Sequence, residues 1–176
     1  MKNKKYIVSF LVPICILIII NFIPVFINIY GEEIILSANY YMPTDSFRGE
    51  YISLNYDINK VNISKLKTDV DVDIDDMDYV YVYLKKAKDY YDVDFISDKL
   101  IKNNKPYIKA KVNYINRIDK NSDKKEGHIR LSYQNNKLFI NSDKKELLKE
   151  KEELEKKIKV KIKLYRGYFI PIDILL

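Results

Sequence analysis

A chain of 176 residues with 31 basic and 25 acidic side chains carries a formal net charge of +6, yet Lys2, Lys4 and Lys5 precede its first hydrophobic block and every acidic residue follows it. Beyond that block 28 basic residues face 25 acidic ones, a balance that argues against a nucleic-acid partner, which would demand a basic stripe or patch. One cysteine permits no intrachain disulfide and one histidine no multi-histidine metal site, while the wealth of Lys, Asn, Ile and Tyr reflects an AT-rich coding composition before it reflects any activity.

The block itself, YIVSFLVPICILIIINFIPVFINIY, holds no charge in 25 residues from Tyr6 to Tyr30. As a helix it would run roughly 37 Å at about 1.5 Å per residue, enough to cross a hydrocarbon core of about 30 Å. Pro13, Asn21 and Pro24 interrupt it, and membrane helices tolerate such residues better than soluble ones do. The lysines before it and Glu32 and Glu33 after it predict a cytoplasmic N-terminus. The expected organisation is a basic cytoplasmic tail (1–5), an anchor in membrane lipid (6–30) and one extracytoplasmic domain (31–176). A cleaved secretory signal is the alternative, but it calls for a shorter apolar core and a small-x-small site, whereas Ile27, Asn28, Ile29 and Tyr30 precede Gly31. Lipid attachment at Cys15 is not expected, because Val12, Pro13 and Ile14 stand where small residues are needed.

From Gly31 onward the hydrophobic pattern has period two, the mark of half-buried strands. EEIILSA, EYISLNYD, YVYVYLKK, YIKAKVNY, HIRLSY and KLFIN are predicted strands. IKVKIKLYRGYFIPIDILL predicts a terminal hairpin turning at Arg166-Gly167, with Ile170, Ile172, Ile174 and Leu176 on one face of the returning strand and Pro171 at an edge or bulge. SDKKELLKEKEELEKK predicts one surface helix, started by the Asp143 and Glu146 pair, supported by the i,i+4 pairs Glu152 with Lys156 and Glu153 with Lys157, and striped by Leu147, Leu148 and Leu154. The fold class is therefore mainly β, a small α+β variant with a minor helix near the C-terminus, preceded by a single transmembrane helix.

The stretch SFRGEYISLNY carries the most information. Gly49 follows Arg48 where a turn must deliver the chain into a strand, and glycine supplies backbone freedom there. On that strand Ile52, Leu54 and Tyr56 point one way and Tyr51, Ser53 and Asn55 the other, which makes Leu54 a core candidate. RGEYISLNY resembles the defining motif of the GDYXXLXY protein family, a set of prokaryotic membrane-anchored proteins with no assigned activity. Gly49, Tyr51, Leu54 and Tyr56 match it, with Glu50 where the pattern has Asp, and Pro43-Thr44-Asp45 is similar to a Pro-x-Asp segment of the family. YVYVYLKK resembles the family's second aromatic strand, HIRLSYQNNKLFINSDKKELLKE its later strand pair and helix, and the final segment its closing hairpin. Gln134-Asn135-Asn136 and Asn141-Ser142-Asp143 depart from the Gly-Ile-Glu and Pro-Glu-Gly that the family favours. The resemblance covers most of residues 31–176. Pro43, Asp45, Gly49, Leu54 and Tyr56 are read as structural, and Arg48, Glu50 and Tyr51, charged and aromatic side chains beside a tight turn with no core role, as a candidate contact motif; the resemblance implies association with a multi-spanning membrane protein.

Three other chemistries compete. An anchor followed by YYMPTDSFRGEYISL is superficially similar to the type I signal peptidases, serine-lysine hydrolases of envelope peptides, but Tyr41 stands before Met42-Pro43 where the nucleophilic serine belongs. Ser37, Ser46 and Ser53 lie nearby, and no spacing singles out a lysine base for any of them. In DVDVDIDDMD, Asp71, Asp73 and Asp75 have calcium-loop spacing, yet Asp76 occupies the glycine position and Val82 the bidentate position, so a solvated charged stretch is expected. His128 is expected to be a satisfied strand residue, and the sixteen tyrosines follow from composition and β-propensity better than from a stacking platform for glycans or bases. No metal and no cofactor are expected. The reading is a membrane-anchored binding or assembly module, not an enzyme.

Overall fold

The computed structural model of the protein describes residues 2–43, 51–67, 77–117, 127–152 and 157–175. Asp45, Ser46, Arg48, Gly49, Glu50, the aspartates 71, 73 and 75, Glu153, Leu154, Lys156 and Leu176 lie outside the described residues. Helix α1 spans Lys2–Tyr30 and contains both Pro13 and Pro24. Its stretch Ser9–Tyr30 has a mean hydropathy of 2.9 and is long and apolar enough to cross a membrane. Asn21 is accommodated in this apolar run by donating from Nδ2 to the Leu17 carbonyl one turn back, 2.7 Å away. The helix ends at Gly31, whose N–H still donates to the Ile27 carbonyl at 2.8 Å. A Cβ at Gly31 would lie 2.3 Å from that carbonyl oxygen and 3.1 Å from Lys163 Cβ, so only glycine lets the chain leave the helix this close to the neighbouring strand.

Strand β1 (Glu32–Tyr41) pairs along most of its length with β10 (Lys157–Tyr165), antiparallel, from Glu32 opposite Leu164 to Asn39 opposite Lys157. Its other edge is divided. Leu36 meets Tyr91 of β6 (Tyr91–Ser97) in parallel, and Ala38–Tyr41 pairs with β2 (Tyr51–Tyr56), which in turn carries β9 (Lys137–Phe139). From β6 the sheet continues through β5 (Tyr79–Lys86), β7 (Tyr107–Arg117) and β8 (Gly127–Ser132) to β3 (Lys60–Asn62), while β4 (Leu66–Lys67) extends β6. The last strand, β11 (Tyr168–Leu175), returns along β10. The sheet curls on itself: Gly167, in the turn between β10 and β11, bridges Ile108 of β7 and accepts a hydrogen bond from Lys109 N at 2.8 Å.

Alternation explains the core. In β10 Ile158, Val160, Ile162 and Leu164 are buried, the first three opposite Ala38, Leu36 and Ile34 of β1. The intervening lysines face outward and are neutralised locally, Lys157 by Asp57 at 2.8 Å, Lys161 by Glu33 at 3.6 Å and Lys159 by Asp89. Pro171 sits both on the edge strand and at a bulge, since Lys161 opposes Asp173 while Ile162 opposes Pro171. That bulge corrects the predicted face of β11. It switches the phase of the strand, so Phe169 and Ile174 reach the core and Ile170 and Ile172 are only half-buried.

Helix α2 (Ser142–Glu152) also differs from expectation at its start. Asn141, not Asp143, caps it: Asn141 Oδ1 accepts from Lys144 N at 3.2 Å and its carbonyl from Lys145 N at 3.1 Å. The helix docks by a fully buried Leu148, whose carbonyl accepts from the Tyr40 hydroxyl at 2.7 Å, while Leu147 is half exposed. Lys144 pairs with Asp173 and ties the helix to β11.

The strand missed by periodicity, β6, puts Asp92 and Asp94 toward solvent beside Lys65 (3.9 Å from Asp92), Lys85 (3.7 Å from Asp94) and Lys105 (2.5 Å from Asp94). The hydrogen bond from Lys105 holds the Asp94 carboxyl below the usual carboxylate range. A depressed carboxylate contributes stability above its unfolded pKa of about 3.9 and loses it as pH falls through the lower folded value. Asp94→Asn should therefore cost under about 1 kcal/mol at neutral pH, because Lys105 is half exposed and the pair is screened. Melting curves of the two proteins should converge as the pH is lowered beneath the ordinary carboxylate range.

Candidate functional site

The motif strand β2 divides into two faces with different work. Ile52, Leu54 and Tyr56 are buried, Leu54 at 2% exposure directly opposite Tyr40. The Tyr56 ring meets Tyr133 and Phe169 edge-on at centroid distances of 6.3 and 5.4 Å, and its hydroxyl lies 3.4 Å from the Asn135 carbonyl. Tyr133 donates to the Ile58 carbonyl at 2.9 Å. Burial pushes both hydroxyls well above the ordinary tyrosine range, so neither is an acid at any ordinary pH.

On the outer face register brings together residues far apart in the chain. Tyr51 opposes Phe139, Ser53 opposes both Tyr41 and Lys137, and side chains paired across strands share a face. The Tyr51 and Phe139 rings are 6.1 Å apart and the Lys137 ammonium lies 5.0 Å from the Tyr51 centroid. Phe139 is 69% exposed and Tyr41 64%. Exposed Tyr41 and Phe139, half-buried Tyr51 and the Lys137 cation thus share the outer face at the end of β1 opposite α1. Of these residues sequence reasoning singled out only Tyr51. The pattern Lys137-Leu138-Phe139 around one buried leucine could have found two more, and the partner strand could not be known in advance. Pro43, the last described residue before the motif, is half-buried beyond the end of β1.

A second concavity lies where the hairpin of β10 and β11 meets α1. Arg166 and Gly167 both have positive φ, 49° and 85°, the pattern of the two-residue turn that suits the right-handed twist of paired strands. A Cβ at Gly167 would come within 2.9 Å of the Tyr107 ring. Arg166 has no such exemption and holds its guanidinium 5.3 Å from the Tyr165 centroid. A cleft of about 750 Å³ opens between this tip and the helix, lined by Phe22, Ile23, Phe26, Ile27, Gln134, Tyr165, Arg166 and Tyr168. Gln134 and Tyr168 also border a polar cleft of about 220 Å³ that holds Lys109, Lys111, Ser132 and Asn135. The Lys109 ammonium rests 4.7 Å from the Tyr79 ring, and among the described residues no carboxylate lines either cleft.

The competing sites take definite places. Ser37 is buried on β1 opposite Lys159, whose ammonium is paired with Asp89; Ser53 is opposite Lys137, whose ammonium lies over Tyr51. Both cross-strand lysines are engaged elsewhere. His128 is a half-buried strand residue of β8 with its ring 6.4 Å from that of Tyr114. Among the described residues no three His, Cys, Asp or Glu side chains gather as a metal site would require. Cys15 is exposed on α1.

A helix long and apolar enough to cross a membrane leads into a curled, largely antiparallel sheet with one minor helix, which defines a β-rich protein. The chain belongs to the GDYXXLXY protein family, whose sequence model matches residues 13–174. No curated protein and no solved structure matches the chain.

Proposed function

We propose that the chain is a single-pass membrane protein whose sheet lies outside the cytoplasm and serves as a contact module for a multi-spanning membrane protein. The aromatic patch of Tyr41, Tyr51 and Phe139 carries this reading. Exposed aromatic residues that pack no core are characteristic of protein contact surfaces, where Tyr and Phe are enriched. Arg48 and Glu50, which precede Tyr51 in the sequence, belong to the same proposed contact motif. Anchoring is favoured because α1 is apolar on all sides and only Ile27 among its described side chains is buried, so the helix calls for an apolar medium. The commitment of Lys159 and Lys137 to other partners weighs against a serine-lysine hydrolase.

Two measurements test this. Proteinase added outside intact cells should degrade the sheet after Gly31, and the N-terminus should stay with the membrane fraction; a protected sheet would reverse the orientation, and a soluble product beginning near residue 31 would establish cleavage. Tyr51→Ala combined with Phe139→Ala should leave the melting temperature within a few degrees, since each side chain is at least partly solvated, yet sharply reduce recovery of a membrane partner from detergent extracts. Full recovery with both rings removed would assign the patch no role.

A further inference from the structure

We infer that the two joined clefts beside α1 hold the headgroup and upper acyl chain of an anionic phospholipid, an inference that rests on the membrane-anchored reading above. The apolar cleft has a wall of Phe22, Ile23 and Phe26 from the helix, and Arg166 at its rim. It continues past Gln134 and Tyr168 into the cleft that contains Lys109 and Lys111. Three cations therefore line the two clefts, and no carboxylate among the described residues lines either. Lys109 and Arg166 rest over tyrosine rings, and neither they nor Lys111 make an ion pair with a described carboxylate, so no described carboxylate neutralises their charge.

Position selects the occupant. Phe22 is eight residues before Tyr30, about 12 Å along the helix at 1.5 Å per residue, so with α1 in a bilayer the apolar wall lies at the depth of the acyl chains and glycerol region. A free phosphate would use the lysines and have no need of that wall. A phosphodiester with an attached acyl chain uses both, the phosphate on Lys109, Lys111 and Arg166 and the chain along Phe22 and Phe26. Tyr165 and Tyr168 line the apolar cleft and Tyr30 packs on Tyr165, an aromatic group of the kind found at membrane interfaces.

Full-length protein in phosphatidylcholine vesicles, with spin-labelled phosphatidylglycerol or phosphatidylcholine as probe, reads the preference directly. Wild type should associate with the anionic probe about tenfold more strongly, the scale of a few interfacial cations. Lys109→Gln, Lys111→Gln and Arg166→Gln together should reduce the ratio to about twofold or less, with single Lys111→Gln intermediate. The control triple Lys60→Gln, Lys88→Gln and Lys102→Gln removes equal charge from exposed positions outside the clefts and should keep the wild-type ratio. An unchanged ratio in the cleft variant, an equal loss in the control, or full displacement of the preference by inorganic phosphate would each overturn the inference. Flotation with the vesicles is scored in parallel. Protein that floats without preferring the anionic probe overturns the lipid site alone, and protein that fails to float overturns the anchored reading as well.

Discussion

Leu54→Ala should destabilise the sheet by about 2 to 5 kcal/mol, a fall in melting temperature of roughly 4 to 20 °C for a domain of this size. The leucine is 2% exposed, and its strand is held on both sides, by Tyr40 through Tyr41 of β1 and by β9. The Leu54 N–H is also fixed to the Asn136 carbonyl at 2.7 Å. A backbone pinned in this way cannot move inward to fill the space left by the lost methyl groups, which favours the upper part of the range. Near-UV circular dichroism of the full-length protein in detergent measures it, and a loss below about 1 kcal/mol would mean that the inner face of the motif is not the core contact described.

The second large effect concerns two buried tyrosines that look equivalent in sequence. Tyr133→Phe should cost about 1 to 3 kcal/mol, because the buried Ile58 carbonyl loses a donor at 2.9 Å and water cannot replace it. Tyr56→Phe should be within about 0.5 kcal/mol of unchanged, since its hydroxyl contact at 3.4 Å is already longer than a good O–H···O bond and the ring contacts persist. Thermal melting of both variants decides it. Equal losses would show that the Tyr56 hydroxyl is bonded as firmly as that of Tyr133.

The difference between these tyrosines marks where sequence reading ends. Alternation identified the inner faces of β2 and β10 because apolar residues alternate there with lysine, asparagine or serine, a pattern set by strand geometry alone. It also assigned Tyr51 to the face opposite Leu54. It passed over β6, where Asp92 and Asp94 read as part of a polar linker; only Lys65, Lys85 and Lys105, brought in from other elements, make a strand with two outward aspartates favourable. A one-residue bulge was invisible too, and it sufficed to exchange Ile170 and Ile172 for Phe169 in the core. The aromatic patch and the clefts depend on pairing between segments distant in the chain, Tyr51 with Phe139 and Gly167 with Ile108, and no local pattern encodes those partners. The helix cap fell to Asn141 because its side chain reaches the Lys144 N–H. It lies in one of the two segments that depart from the family pattern.

If strand β2 divides scaffold from contact between its two faces, site-specific photocrosslinking separates the two. A benzophenone side chain is placed at position 41, 139 or 114 of the full-length protein in its native membrane, Tyr114 being an exposed aromatic on β7 outside the patch. The account predicts adducts from positions 41 and 139 to a multi-spanning membrane protein, none from position 114, and loss of both adducts on Tyr51→Ala with the melting temperature unchanged. The same adduct from position 114, or none from 41 and 139 in correctly inserted protein, would contradict it.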